Sequence, residues 1–223
     1  MLENRDAVIF DLDGTIADSM DLWSEIDREF FAERGMEMPP TLAKDIEGMS
    51  FTETAEYFVQ TFNLPETVEE LKKIWTGKAF DQYAHHIELK PGARDFMDYL
   101  KERGMPIGIA TSNSKELLEV FLKAQQLEGM IDASVTSDDG CAGKPAPDVY
   151  LKAADLLHVK PERCLVFEDI TNGILAGKNA HMTVCAVEDT FSLHLTEEKK
   201  RLADYYVRDF HEVLAEEEAL GKS

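Results

Sequence analysis

Cysteine is scarce. Cys141, Cys164 and Cys185 are spread through 223 residues, too few and too scattered for a disulfide framework or a zinc site. A reducing, cytoplasmic setting is therefore expected. Long apolar runs are missing too: 44% of the residues are hydrophobic, yet no run approaches the ~18 residues of a membrane span. Glu3, Asp6 and Asp11 interrupt the stretch after Met1, so no export segment of basic then apolar residues is expected there. Positive charge is in deficit, with 23 Lys and Arg against 44 Asp and Glu and a net charge of −21. This disfavours non-specific contact with nucleic acid or an anionic membrane surface, and neither is expected as a partner. An anionic ligand would need a site made positive locally.

What the chain does contain is enough apolar sequence for one large domain, or a core with a smaller appendage. "AVIF" (Ala7–Phe10) is short, continuous and apolar, as a buried strand is. "MPIGIATSN", "DASVTSDD", "CLVFEDI", "TVCAV" and "DYYV" are further strand-like runs, and several of them end in polar groups. Helical periodicity lies between them: Ala93, Phe96, Met97 and Leu100 follow the breaker "KPG", Leu117, Phe121 and Ala124 repeat the spacing, and Pro147 opens a stretch through Leu157. Strand and helix in alternation predict an α/β fold with a mostly parallel, doubly wound sheet.

Residues 17–88 differ, with no convincing strand and three amphipathic stripes. Trp23, Ile26, Phe30 and Phe31 make the first, and Ala55, Phe58, Val59 and Phe62 the second. Val68, Leu71, Trp75 and Ala79 make the third, after a Pro-opened start at "LPETVEE". Aromatics on such faces are read as packing. The expected organisation is an α/β core from residues 1–16 and 89–223, with an all-α module inserted at 17–88. "AEEEALGKS", at the C-terminus, is expected to be a frayed helix end.

Strand ends in a parallel sheet lie side by side and bind ligands. Asp11 and Asp13 follow the first strand, and Thr111, Ser112 and Asn113 follow the next, with hydroxyl and amide groups able to bond phosphate oxygens. Lys144, fenced by Gly143 and Pro145, follows the third, and Glu168-Asp169 ends the fourth. Singly, each has a plain explanation: an Asx-type turn for the Asp pair, a solvated surface lysine, a helix cap. Together they bring carboxylates, a hydroxyl and one lysine to one rim. Clustered acids suit a hard divalent cation with oxygen ligands, and Mg²⁺ fits best. Metal and lysine together would make the local anion site that the net charge otherwise denies.

"DLDGT", "ATSN", "GKPAPD" and "FEDITNG" resemble, in order, the four motifs of the haloacid dehalogenase-like hydrolase superfamily. The helical module resembles the cap of its branch of phosphatases and β-phosphoglucomutase relatives. The resemblance spans roughly Val8 to Val207. It implies that Asp11 is a nucleophile and Mg²⁺ ligand. Asp13 would be the general acid/base, lending its backbone carbonyl to the metal. Thr111 and Lys144 would hold the phosphoryl group, Asp169 would bind the metal, and Glu168 would be a ligand or the partner of one. Gly14 and Thr15 would form the turn whose N–H groups can meet phosphate oxygens.

An acid two residues after the nucleophile is absent from the superfamily's dehalogenases, so Asp13 speaks for phosphoryl transfer. In the β-phosphoglucomutase pattern a cap histidine and an arginine help to bind and reorient substrate. Trp23 and Phe51 occupy the matching positions and are read as an apolar, substrate-facing wall, with Phe51 in a loop. Lys72, Lys73 or Lys78 could replace the missing charge. "FEDITNG" and "NAHM" also depart from the usual pattern, at Ile170 and Asn179–Met182, where helix packing is affected. The expected activity is Mg²⁺-dependent hydrolysis of a small phosphomonoester, such as a sugar phosphate, through an aspartyl phosphate. The alternative is a sugar-phosphate mutase, and a more remote one is a non-catalytic phospho-acceptor. A monomer is favoured.

Overall fold

The computed structural model describes residues 1–221. The apolar runs become six parallel strands: β1 (Ala7–Phe10), β2 (Ile107–Ala110), β3 (Ala133–Val135), β4 (Cys164–Glu168), β5 (Thr183–Val187) and β6 (Tyr205–Val207). Their order is β3-β2-β1-β4-β5-β6. β1 lies between β2 and β4, with Ile9 opposite Gly108 on one side and Val166 on the other. The chain therefore reverses its direction of winding at β1, and a crevice opens at that point beyond the strand ends.

Alternation of side chains divides the core into two faces. Val8, Phe10, Ile109 and Phe167 point to a cluster with Phe96, Met97, Phe121 and Phe210. Ala7, Ile9, Val166 and Val184 point to one with Tyr150, Ala153 and Ile174. The helices obey this split. α5 (Ala93–Glu102), α6 (Lys115–Ala124) and α10 (Phe210–Gly221) cover the first face, and α7 (Asp148–Leu156) and α8 (Thr171–Asn179) cover the second. α9 (Thr196–Leu202) packs on α8 and β6. The C-terminal run is helical to Gly221 in α10, and 222–223 of the expected frayed end lie outside the described residues. Among the described residues no helix is long and apolar enough to cross a membrane.

Between β1 and α5 the chain forms four helices: α1 (Met20–Glu33), α2 (Leu42–Asp45), α3 (Phe51–Thr61) and α4 (Val68–His85). The stripes on α1, α3 and α4 meet in an aromatic cluster of Phe30, Phe31, Phe58 and Trp75. Two starts are set by reciprocal caps, Ser50 with Glu53 and Thr67 with Glu70. The cap at Thr67, not Pro65, begins α4. Phe51 is accordingly the first residue of a helix and not part of a loop, because Ser50 bonds the Glu53 N–H ahead of it.

The helical segment is tied to the strand-end loops. Phe51 N–H donates to the Ser112 carbonyl (2.8 Å), Gly143 N–H to Glu53 (3.1 Å), and the Asn172 amide to the Glu47 carbonyl (2.8 Å). A cleft of about 310 Å³ lies between the segment and the strand ends.

Candidate active site

β1 delivers Asp11 to the floor of this cavity, and the turn after it is shaped by Gly14, whose φ of +81° lies in the left-handed region. A side chain there would also collide with Asp169, since a Cβ would stand 2.3 Å from Asp169 Oδ2. β4 supplies Glu168 and Asp169, both buried. Asp11, Glu168 and Asp169 present carboxylate oxygens that lie within 4.8 Å of one another. Such crowding is unfavourable for three charged groups unless cations relieve it.

One cation pairs with the cluster directly. The Lys144 ammonium lies 2.6 Å from Asp11 Oδ1 and also pairs with Glu168. Burial works against its charge, but the two carboxylates hold it above the ordinary lysine value. Glu168 is fully engaged: it also accepts from the Tyr150 hydroxyl (2.7 Å) and the Asp169 N–H (3.0 Å). Gly173 makes room for it, because a Cβ there would stand 1.9 Å from Glu168 Oε1.

The remaining charge is only partly relieved by protein, with Lys199 opposing the rise at Asp169. Burial raises Asp11 to about 7, with Lys144 opposing and Glu168 adding to the rise. Asp169 is pushed well above the usual carboxylate range by burial, then by Glu168 and Asp11. Thr15 Oγ1 donates toward Asp169 Oδ1 (3.1 Å) and Asp11 Oδ2 (3.2 Å), while Asp169 Oδ2 is buried without a partner. An all-oxygen donor set with an orphaned carboxylate oxygen fits a hard divalent cation.

Asp13 faces the other way, toward the helical segment. Its Oδ1 accepts from Ser19 (2.6 Å), from the Trp23 indole (3.3 Å) and from Tyr83, and its Oδ2 accepts from Asn113 (3.0 Å). Trp23 is therefore not purely apolar wall. It meets Phe51 edge to face at 5.9 Å, but its N–H reaches Asp13 and Tyr83.

The cavity is lined by Asp11, Asp13, Trp23, Phe51, Thr111, Ser112, Asn113, Lys144 and Asp169 among others. Thr111 Oγ1 accepts the Asn113 N–H (3.0 Å), which leaves its own hydrogen unspent. Asn113 differs from expectation, because its amide is committed to Asp13, Tyr83 and the Ser114 N–H. The Gly14 and Thr15 N–H groups are likewise used inside the turn, by the Ala17 and Leu12 carbonyls. Lys72 and Lys78 pair with Asp138 and with Glu29 and Glu33 on the surface, away from the cavity. Among the described lining residues Lys144 is the one Lys or Arg.

Tyr83 and Tyr150 were not singled out from the sequence. Leu71, Trp75, Ala79 and Tyr83 repeat at four-residue spacing on α4 and are all buried, so Tyr83 looks like one more packed aromatic. A phenol at the end of an apolar stripe was the available signal.

Fold and site together define an enzyme that handles an anionic group beside a cluster able to hold a metal. The chain belongs to the haloacid dehalogenase-like hydrolases, whose family model matches residues 8–187. It is 30% identical over 176 residues to the phosphorylated carbohydrates phosphatase of Thermotoga maritima, covering 78% of this chain and 81% of that protein. It is 32% identical over 181 residues to the bifunctional riboflavin kinase/FMN phosphatase of Arabidopsis thaliana, covering 81% of this chain but only 48% of that longer protein. The crystal structure of CbbY from Rhodobacter sphaeroides in complex with phosphate is similar with a TM-score of 0.81 and 25% identity, covering 92% of this chain and 95% of that one.

Proposed function

We propose that this protein is a Mg²⁺-dependent phosphomonoesterase for a small metabolite of the sugar-phosphate kind, acting through an aspartyl phosphate on Asp11. The observation that carries the reading is the pair of acids on either side of Leu12. Asp11 is held by Lys144 beside Glu168 and Asp169, while Asp13 lines the same cavity and turns its carboxylate toward Ser19, Trp23, Tyr83 and Asn113. The relative from Thermotoga maritima, named for phosphorylated carbohydrates, supports the substrate class.

Asp11 attacks phosphorus as the bond to the ester oxygen breaks, and Asp13 gives its proton to that oxygen. Asp13, now ionised, takes a proton from the water that attacks the aspartyl phosphate. Inorganic phosphate leaves and Asp11 is restored. Lys144 and the Thr111 hydroxyl bind the phosphoryl oxygens. Mg²⁺, held by Asp11, Asp169 and the Asp13 carbonyl with Glu168 alongside, would supply positive charge for the transferring group. Residues 17–88 serve as the cap over the core formed by 1–16 and 89–223, admitting substrate and then excluding bulk water. The three cysteines are free, in keeping with work in a reducing compartment, the cytoplasm.

A mutase must hold a second phosphate during reorientation, and among the described residues the cavity wall has Lys144 as its one Lys or Arg. The test is hydrolysis of p-nitrophenyl phosphate with and without Mg²⁺, followed by a screen of phosphorylated metabolites. β-Glucose 1-phosphate with a trace of the 1,6-bisphosphate separates the two activities. Inorganic phosphate without glucose 6-phosphate supports the reading, and many turnovers to glucose 6-phosphate would sink it.

A further inference from the structure

The stripe on α1 contains a charge. Trp23, Ile26, Phe30 and Phe31 repeat along one helical face, and Asp27 falls within it, one turn beyond Trp23. Ile26, Phe30 and Phe31 are buried, and Asp27 lines the cavity beside Ile26, Leu42 and Trp75. Among the described residues its carboxylate has no hydrogen-bond donor and no cation, and burial alone raises it to about 7. The other acids of the cavity are engaged. Asp11 pairs with Lys144, Asp13 accepts from four side chains, and Glu47 accepts the Asn172 N–H at 3.1 Å. Asp169 Oδ2 is orphaned, but it sits in the metal-ligating cluster.

Asp27 is half-buried, so its carboxylate meets the cavity at a smaller desolvation cost than a sealed one would carry. Its position along the cavity suggests what it is for. Trp23 marks the place of Asp13, and one helical turn rises about 5.4 Å. Asp27 therefore shares one cavity wall with Asp11, Lys144, Asp13 and the Trp23 and Phe51 rings, one helical turn from Trp23. A ligand held at Asp11 and Lys144 shares that cavity with the two rings and with Asp27.

Resting on the phosphatase reading, we propose that Asp27 determines leaving-group specificity by hydrogen-bonding hydroxyls of a polyol or sugar several atoms from the phosphate. A carboxylate accepts from hydroxyls, and its protonated form also donates to them. The flanking aromatic rings suit the C–H surface of such a chain. Asp27 thus lets the enzyme distinguish a hydroxylated leaving group from an alkyl one of equal length.

The test measures kcat/KM with Mg²⁺ for a hexitol 6-phosphate, n-hexyl phosphate and 6-aminohexyl phosphate, in the wild type, Asp27→Asn and Asp27→Leu. Asp27→Leu completes the apolar stripe, so the variant should fold, and Asp27→Asn changes volume little. The wild type should prefer the hexitol ester to the hexyl ester by at least ~10-fold, and Asp27→Leu should erase about that factor. Asp27→Asn, whose amide also donates and accepts, should retain more of the preference than Asp27→Leu. A hexitol-to-hexyl ratio that moves less than ~3-fold in Asp27→Leu overturns the proposal, as does a wild-type preference for the aminohexyl ester. Hydrolysis by the wild type with an unmoved ratio counts against Asp27 alone. Failure of the wild type on all three esters and on p-nitrophenyl phosphate overturns the phosphatase reading, and this proposal with it.

Discussion

Lys144 holds Asp11 at 2.6 Å and Glu168 with the same buried ammonium, so the one Lys or Arg of the cavity wall is fixed before any ligand arrives. Removing one partner of a buried ion pair leaves the others uncompensated. Lys144→Ala should therefore lower kcat at least ~100-fold, the usual cost of one oriented transition-state donor. It should also lower the thermal midpoint of the metal-free protein. Activity within a few-fold of wild type would remove Lys144 from the phosphoryl site.

Asp11→Asn keeps the side-chain volume and removes the nucleophile's charge. The fold should survive, and Mg²⁺-dependent turnover should fall by several orders of magnitude. Asp13→Asn should behave differently with p-nitrophenyl phosphate, whose leaving group needs no proton: a burst of about one nitrophenolate per enzyme, then slow turnover. Stopped-flow absorbance distinguishes the two, and a burst in Asp11→Asn would reassign the nucleophile.

Tyr83 donates to Asp13 and accepts from Trp23 and Asn113. Tyr83→Phe keeps the edge-to-face packing on Phe121, 6.3 Å between centroids, and deletes only the hydroxyl. If Tyr83 positions the general acid, kcat should fall ~10-fold for an alkyl phosphate, and less for p-nitrophenyl phosphate. Equal losses on both esters would show that Tyr83 acts through packing alone.

Asp27 also makes a prediction about stability. Its folded-state value of about 7 exceeds the ordinary 3.8. Between these values the folded state binds more protons than the unfolded, so stability is lost as pH rises through that window. Asp27→Leu removes the loss. Its thermal midpoint should exceed wild type by a margin that widens from pH ~4 to ~7 and then levels, reaching at least ~3 °C for a chain of this size. Asp11 and Asp169 titrate in both proteins and cancel in the difference. Calorimetry without metal at four or five pH values would reveal a flat margin if the Asp27 carboxylate were solvated.

Much of the site was legible because chemistry and topology coincide at strand ends. "AVIF", "IGIA" and "CLVFE" are continuous apolar runs, and continuous runs read as buried parallel strands whatever surrounds them. The residues just past their C-terminal ends then had to share one rim. Asp11, Thr111, Lys144 and Asp169 could be assigned to that rim without coordinates.

The roles of the helical segment were less legible, because helix periodicity records which residues share a face and not what that face meets. Trp23 lies on an apolar stripe, but its indole N–H finds Asp13 only because α1 and α4 bring it beside Tyr83. Asn113 looked free for phosphate, and the fold spends its amide on Asp13 and Tyr83. Phe51 follows Gly48 and reads as loop, but the reciprocal Ser50–Glu53 cap makes it the first residue of α3. Asp27 interrupts the apolar stripe of α1 unremarked by any motif, and only the packed cavity gives it a place.

The order of strands and helices, the shared rim and the acid pair were determined by the sequence alone, through local periodicity and the geometry of parallel strands. Which of those acids joins the carboxylate cluster and Lys144, and which turns to the helical segment, were decided by tertiary structure. Asp11 and Asp13 have the same side chain, and their surroundings come from residues as distant in the chain as Lys144, Glu168 and Tyr83. Burial and hydrogen bonding are properties of that assembled neighbourhood, and no local stretch of sequence contains them.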